Sequence, residues 1–556
     1  MNFYQNDSLL KDILKHQLED DFFQWADGEL TEYGQLCGTE IDERAKHTDR
    51  EGQPKLLKYD RFGNDVSEVW LNEGYKQTIR DTYERGIVGY IHKAIPLLGR
   101  TGNYTYSFAQ GYLLSQSEPG FYCPVTLTMA TAYLLDHYGS DEVKNRFLPH
   151  ILSTGEVELY EGATFLTERQ GGSDVGANVV SAKLTENGSY QLYGEKYFAS
   201  NAGACGVAMV LARREGAAEG TRGLSLFAVP WRNNNGSVNQ ITIRRLKDKL
   251  GVRAVPSAEI VFEGSEAYLV GEAAKGIHYM MEALNLSRVC NAIASIGIMK
   301  RAYEEAKTYA MEREAFGKRL TSYPMIRESL VKMSVKHEVD TRAIFSLISL
   351  FEKVMKKGSS ATDEEKVLNR LLIALLKKES AEQSIHFAHE AIEMHGGNGY
   401  IEDFVTPRLL RDAQVLTVWE GTANVLGLEV LRLMNRYQAH ALFIEKMEKE
   451  YSHLTTEQQQ IGKEVISGLA QLKELTEYSM NSSEDVQTYH CKRIARLMTY
   501  IYESIVILKV ISTPRSRKVA EVFLRDTWQK EEWKDEKLLG HQYFDDIVLH
   551  KAHQGV

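Results

Sequence analysis

Thr164-Phe-Leu-Thr-Glu-Arg-Gln-Gly-Gly-Ser-Asp174 is the stretch on which the reading of this chain turns. Thr167 and Ser173 flank the Gly171-Gly172 pair, and glycines without Cβ atoms let backbone approach a neighbour closely. Two hydroxyls and several N–H groups can thus be aimed at one bound group. The ordinary reading of the same residues is a β-turn closed by a capping Ser-Asp pair.

Outward from this stretch the texture changes in both directions. Upstream, residues 1–160 read as mostly helical. Leu10, Ile13, Leu14, Leu18, Phe22 and Trp25 recur at three- and four-residue steps, which predicts one amphipathic helix. Pro124 followed by VTLTMATAYLLDHYG predicts a helix entered after the proline and closed by Gly139. Residues 161–275 read as a β-domain: Asn187-Gly188 sits between alternating segments, a hairpin signal, and VAMVLA, LSLFAVP, ITIRRL and SAEIVFEG follow as short strands. With no long helical crossover between strands, the sheet is predicted to be antiparallel. Helical periodicity returns over 276–435, with Gly396-Gly397 stopping one long helix, and a more charged helical region without motifs fills 436–556.

At 556 residues the chain exceeds a single core. Its 43% hydrophobic and 26% charged residues are those of a globular protein, and a net charge of −10 recruits neither nucleic acid nor anionic membrane globally. No apolar run reaches the ~20 residues of a membrane span. The N-terminus lacks a signal-peptide pattern, and five scattered cysteines predict reduced thiols in a cytoplasmic setting rather than structural zinc. Neither GxGxxG after a strand, a P-loop, HExxH nor GxSxG occurs. His386, His389 and His395 lie close in sequence, but helical histidines without further ligands read as packing or surface residues, and no metal is expected.

Further short motifs follow in order: Lys196-Tyr-Phe-Ala-Ser-Asn201, Arg313-Glu-Ala-Phe-Gly317, His395-Gly-Gly-Asn-Gly399, Arg411-Asp412 and Trp419-Glu-Gly-Thr422. Together with TERQGGSD they resemble the acyl-CoA dehydrogenase family over roughly residues 70–435. RLKDKLGVR, WEGTANV, PKLLKYDRFGN and the surroundings of Cys123-Pro124 are similar to its AidB-like branch. The resemblance implies an α+β, mostly α fold: a helical domain (1–160), a flavin-binding β-domain (161–275), a four-helix bundle (276–435) and an added helical domain (436–556).

It also implies FAD as cofactor and an acyl-CoA substrate. By family analogy, Thr167 and Ser173 meet the flavin edge or a phosphate, Phe198 lies against the flavin face and Ser200 bonds its N5 edge. Arg313 and Phe316 reach the FAD of a neighbouring subunit, which implies a homodimer or homotetramer. Arg suits a pyrophosphate because its planar fork binds oxygens bidentately. The Gly396–Gly399 turn, Gly397 in particular, allows close approach of the dinucleotide, while Glu393 stands where many relatives carry Gln. Thr422 and Asn424 complete the cofactor set. Glu420 is implied as the base that removes the substrate α-proton as the β-hydrogen leaves for the flavin, with Gly421 turning the chain beside it and Arg288 near the base.

Three functions remain open at this level: a dehydrogenase serving electron-transfer flavoprotein or a similar acceptor, an acyl-CoA oxidase, and a DNA-associated flavoprotein of the alkylation response. Residues 441–556 hold 16 Lys and Arg against 18 Asp and Glu, a net of −2. A duplex-binding surface draws its affinity from neutralising phosphates, so DNA is the less favoured partner. Two basic clusters, Lys492/Arg493/Arg496 and Arg515/Arg517/Lys518, are its candidates.

Overall fold

The computed structural model describes residues 1–529 and 537–550. The chain packs as two compact units, Met1–Cys290 and Asn291–Val556.

The first unit opens with helices Ser8–Gln17, Asp20–Cys37 and Glu40–Arg50. The single helix expected over Leu10–Trp25 is therefore two. Leu18 and Glu19 are extended, and the acidic Asp20 and Asp21 favour a fresh helix N-terminus there. A hairpin of β1 (Lys55–Tyr59) and β2 (Asp65–Trp70) and a two-residue pair, β3 (Ala94–Ile95) with β4 (Arg100–Thr101), interrupt the helices. Helix Tyr104–Ser115 is buried over all 12 residues, and accordingly shows no polar face. Inside this core Asp7 accepts from the Tyr112 hydroxyl (2.7 Å) and caps its own helix at Leu10 N–H (3.0 Å). The next helix spans Pro119–Tyr138. It closes at Gly139 as expected but starts five residues early, with Pro119 at its first position and Pro124 inside.

Seven strands form the main sheet: β5 (Gly162–Phe165), β6 (Ser181–Leu184), β7 (Tyr190–Ser200), β8 (Val207–Arg214), β9 (Leu224–Pro230), β10 (Ile241–Leu246) and β11 (Ser257–Val270). β6 and β7 make the expected hairpin, in which Gly188 but not Asn187 adopts positive φ (83°). The antiparallel expectation needs correction: β5 and β6 both run parallel to β8. The crossover from β5 to β8 is built from the β6–β7 hairpin rather than a helix, so the length rule for parallel connections is met by strands. β9 pairs with both β8 and β11, closing the ring β11-β7-β6-β8-β9 around Phe165, Leu192, Val210, Phe227, Ile260 and Phe262.

The second unit is helical. Its long members are the C-terminal part of Gly276–Glu312, then Pro324–Met355, Asp363–His395 and Ala423–Tyr437. Between the first two, β12 (Glu314–Ala315) and β13 (Lys318–Arg319) form a small hairpin. Helices Ala439–Ser452, Glu464–Met480, Glu484–Lys509 and Pro514–Trp528 follow. The apolar face of Glu484–Lys509 (Ile494, Ile501, Ile505 and Leu508 fully buried) packs on Pro324–Met355, Asp363–His395 and Ala423–Tyr437 of the same unit. Its partner surface is this chain's own bundle.

Candidate functional site

In the first unit the TERQGGSD stretch leaves β5 and returns beside β7. Tyr197 N–H donates to Thr167 O (2.9 Å), which brings Thr167 next to Phe198. Beneath them Lys196 is wholly buried, donating to Glu168 Oε1 (2.8 Å) and Leu166 O (3.1 Å). Burial drives the Lys196 ammonium down to about 8, against the opposing pull of the Glu168 carboxylate. Glu168 also accepts from Val179 N–H (2.7 Å) and Val180 N–H (3.3 Å), and its carbonyl receives Gly171 N–H (3.0 Å). One buried ion pair thereby fixes both ends of the loop. The sequence motifs alone do not give Glu168 and Lys196 this role; a carboxylate and a lysine in two neighbouring motifs are the available signal.

Above that anchor the surface is open. Phe198 is 56% exposed, with the Lys247 ammonium 4.7 Å from its ring centre. Ser173 is exposed, and Ser200 sits at 3.4 Å from the Ser257 hydroxyl. At Gly171 (φ 112°) a Cβ would meet nothing within 4 Å, whereas at Gly172 it would stand 2.7 Å from Thr167 Oγ1. Gly171 thus leaves open backbone, and Gly172 keeps the Thr167 hydroxyl in place. Arg288 is buried in this unit and donates to Asn285 Oδ1 (3.1 Å).

In the second unit the structure joins two of the motifs. Phe316 and Gly317 form the tip between β12 and β13 with φ of 50° and 76°, and Phe316 is 97% exposed. Arg313, also exposed, begins this hairpin with its N–H on Tyr309 O (2.8 Å). The Tyr309 ring lies 4.2 Å from the His395 ring, and its hydroxyl accepts from Asn398 Nδ2 (3.1 Å). Tyr309 therefore ties the Arg313 hairpin to the HGGNG segment, a role sequence reading missed; an aromatic one turn before Arg313 was its trace. His395 is a packing residue, its Nδ1 bonded to Ala391 O (2.7 Å). The expected glycine turn is a short helical turn, Gly397–Tyr400, entered through Gly396 at φ 59°. At Gly396 and Gly397 an added Cβ would meet nothing within 4 Å, so backbone is open to an approaching group. Gly399 is different: its Cβ would strike Ile392 O at 2.6 Å, so it serves packing. Glu393 is exposed beside this turn.

Glu420 joins helix Thr406–Leu416 to helix Ala423–Tyr437. It has φ of 58° and Gly421 has φ of 106°. A left-handed residue other than glycine costs about 1–2 kcal/mol and is held only where the surroundings impose it. Buried Lys377 donates to Gly421 O (2.8 Å). Thr422 is the N-cap of the following helix, accepting Leu426 N–H on its carbonyl (2.9 Å), and Asn424 is exposed in the first turn. Open glycine backbone, exposed hydroxyls and an uncovered aromatic are what a flat, polar-edged dinucleotide cofactor requires, so the residues present fit FAD.

Comparison with known proteins gives the family. Residues 1–155 match the AidB N-terminal domain, 163–265 the acyl-CoA dehydrogenase middle domain and 274–435 the acyl-CoA dehydrogenase C-terminal domain. The chain is 32% identical over 506 residues to acyl-CoA dehydrogenase family member 11 of Caenorhabditis elegans, covering 88% of this chain and 80% of that protein. It is 30% identical over 420 residues to the putative acyl-CoA dehydrogenase AidB of Escherichia coli strain K12, covering 74% and 75%. The crystal structure of C. elegans ACDH-11 in complex with C11-CoA superposes with a TM-score of 0.88 at 26% identity, covering 100% of this chain and 96% of that one. The Bd2924 apo-form gives 0.82 at 32% identity, covering 91% and 97%. No helix among the described residues is long and apolar enough to cross a membrane. The chain therefore belongs to the acyl-CoA dehydrogenase family, in its AidB-like branch, and is an FAD-dependent oxidoreductase acting on CH–CH bonds.

Proposed function

We propose that this protein desaturates an acyl-CoA thioester between its α and β carbons, with Glu420 as the base. The observation that carries the reading is the left-handed Glu420, held in a strained backbone state at the junction of two bundle helices. Bound FAD supplies the acceptor for the β-hydrogen and its electron pair, leaving a Cα=Cβ double bond. The Glu420 carboxylate takes the α-proton as the Cα–H bond breaks, the work of a positioned general base. Thr167, Ser173, Phe198 and Ser200 hold the flavin half. Arg313, Phe316, Glu393, Gly397, Thr422 and Asn424 hold the remainder, with Arg313 and Phe316 serving the neighbouring protomer of a homodimer or homotetramer. Arg288 and Gly421 complete the substrate side. Exposure of Phe316 at a hairpin tip supports the neighbour assignment, since a large apolar ring in water calls for a partner.

The electron acceptor is proposed to be electron-transfer flavoprotein or a similar carrier, and the setting cytoplasmic. Undecanoyl-CoA is the first substrate to test, given the C11-CoA held by the C. elegans relative. The DNA-associated reading is weakened by Arg515, Arg517 and Lys518, which face Glu338 (2.8 Å), Glu457 and Glu521 (2.5 and 3.0 Å) and Asp546 (2.7 Å). Cations already paired with carboxylates have little to offer a phosphate backbone. Lys492, Arg493 and Arg496 remain exposed.

Anaerobic titration with saturated acyl-CoAs of graded length, followed by flavin absorbance, tests the proposal. Wild type is expected to bleach. Glu420→Gln, which keeps shape but removes the base, is expected to retain FAD and lose ~10²–10⁴-fold in reduction rate. Equal rates would exclude Glu420 as the base, and a wild type reduced by no acyl-CoA would favour the DNA-associated function.

A further inference from the structure

Lys377 projects from helix Asp363–His395 onto the turn that carries Glu420, and the residue is 1% exposed. Burying an ammonium costs several kcal/mol unless its bonds are good, and an apolar side chain of the same length would fill the space without that cost. One of its bonds goes to a backbone atom, Gly421 O, at 2.8 Å. That carbonyl belongs to the residue immediately after Glu420, within the left-handed pair. Two helical turns back on the same face, Arg370 binds Glu429 (2.9 Å) on the helix that follows the turn. At the other end of the turn, buried Asn291 donates to Leu416 O (3.2 Å). The segment 417–421 is thus pinned at both ends, and its catalytic end is pinned by a cation.

We propose that Lys377 is a positioning residue for Glu420: its bond to Gly421 O locks the left-handed pair, and its charge stands beside the peptide bearing the base. The inference rests on Glu420 being that base. Two effects follow. The lock fixes the direction in which the Glu420 side chain leaves the backbone, and misplacement of a reacting group by ~1 Å can cost ~10²-fold in rate. The nearby positive charge favours the ionised carboxylate, which is the form that accepts a proton.

The test uses the full-length FAD-loaded enzyme with Lys377→Met, which removes donor and charge at similar length. Lys377→Gln, which retains a donor without charge, carries the test if the Met variant does not fold. Hydrogen exchange is followed in peptides covering 417–426 and 464–480, together with FAD content, kcat, KM and the pH profile on undecanoyl-CoA. Expected results are unchanged FAD, faster exchange over 417–426 alone, and kcat lower by ~10–100-fold with KM little changed. The acid limb of kcat is expected to move to higher pH, which loosened packing alone would not produce. Wild-type exchange over 417–426, or a slower enzyme with an unmoved pH profile, would overturn the proposal. Glu420→Gln run in parallel separates the two readings. If it still reduces flavin the base assignment fails, and exchange over 417–426 continues to judge the anchor. If it is inactive while Lys377→Met matches wild type, the anchor alone is wrong.

Discussion

Glu161→Gln changes one atom type in the residue that leads into β5, and its burial sets the sign of the effect. Glu161 is wholly buried; it accepts from the Tyr83 hydroxyl (2.9 Å), which also meets Thr128 Oγ1 (2.9 Å). Burial raises its carboxyl from 4.5 to about 7, with the Tyr83 and Asn201 hydrogen bonds pulling the other way. Below pH ~4.5 the acid is protonated in folded and unfolded chains alike. Between ~4.5 and ~7 only the folded chain holds the proton, so its contribution to stability is lost as pH rises through that window, and about 3 kcal/mol is gone above it. Glutamine imitates the protonated acid at every pH. Thermal unfolding of wild type and variant is therefore expected to coincide near pH 4.5, with the variant more stable by about 3 kcal/mol at pH 8. Groups that titrate in both proteins cancel in the difference. A difference that does not vary with pH would refute the argument, because it would mean that Glu161 carries the same proton count folded and unfolded.

Arg313→Ala is expected to loosen FAD and weaken subunit assembly together, because one exposed hairpin serves both; gel filtration and flavin retention measured on the same preparation check this, and loss of one without the other counts against the shared role. Lys336→Met removes the cation between buried Asp340 (2.8 Å), Glu379 (3.2 Å) and Glu503 (2.8 Å). Stranding buried carboxylates this way should cost about 3–5 kcal/mol in denaturant unfolding at pH 7, and the loss should shrink as acid neutralises them.

The residues proposed to face a ligand were the legible part of the site. Short polar and glycine motifs keep their identity when read one letter at a time, and TERQGGSD, REAFG, HGGNG and WEGT each fall on open backbone or exposed side chains. The supports behind them were not legible. Lys377 and Lys196 read as ordinary lysines until the fold brings Gly421 and Glu168 to them across 44 and 28 residues. Periodicity gave the element types but missed their joints. The Leu10–Trp25 pattern runs through a break because two successive helices turn their apolar faces to one core, and the period does not register the extended residues between them. Parallel pairing of β5 with β8 was hidden for a related reason: a connection made of strands looks, in sequence, like more meander.

Helix Glu484–Lys509 has a further consequence. Since it lies on the bundle from within the same chain, the covered face is settled at synthesis and does not depend on concentration, as a face shared with another molecule would. The bundle cannot offer that face to an assembling neighbour. Trimming the chain after the last family motif would not yield a smaller enzyme but an unprotected one, with an apolar strip newly open to water and to other copies. Any oligomer this protein forms has to be built from its other surfaces.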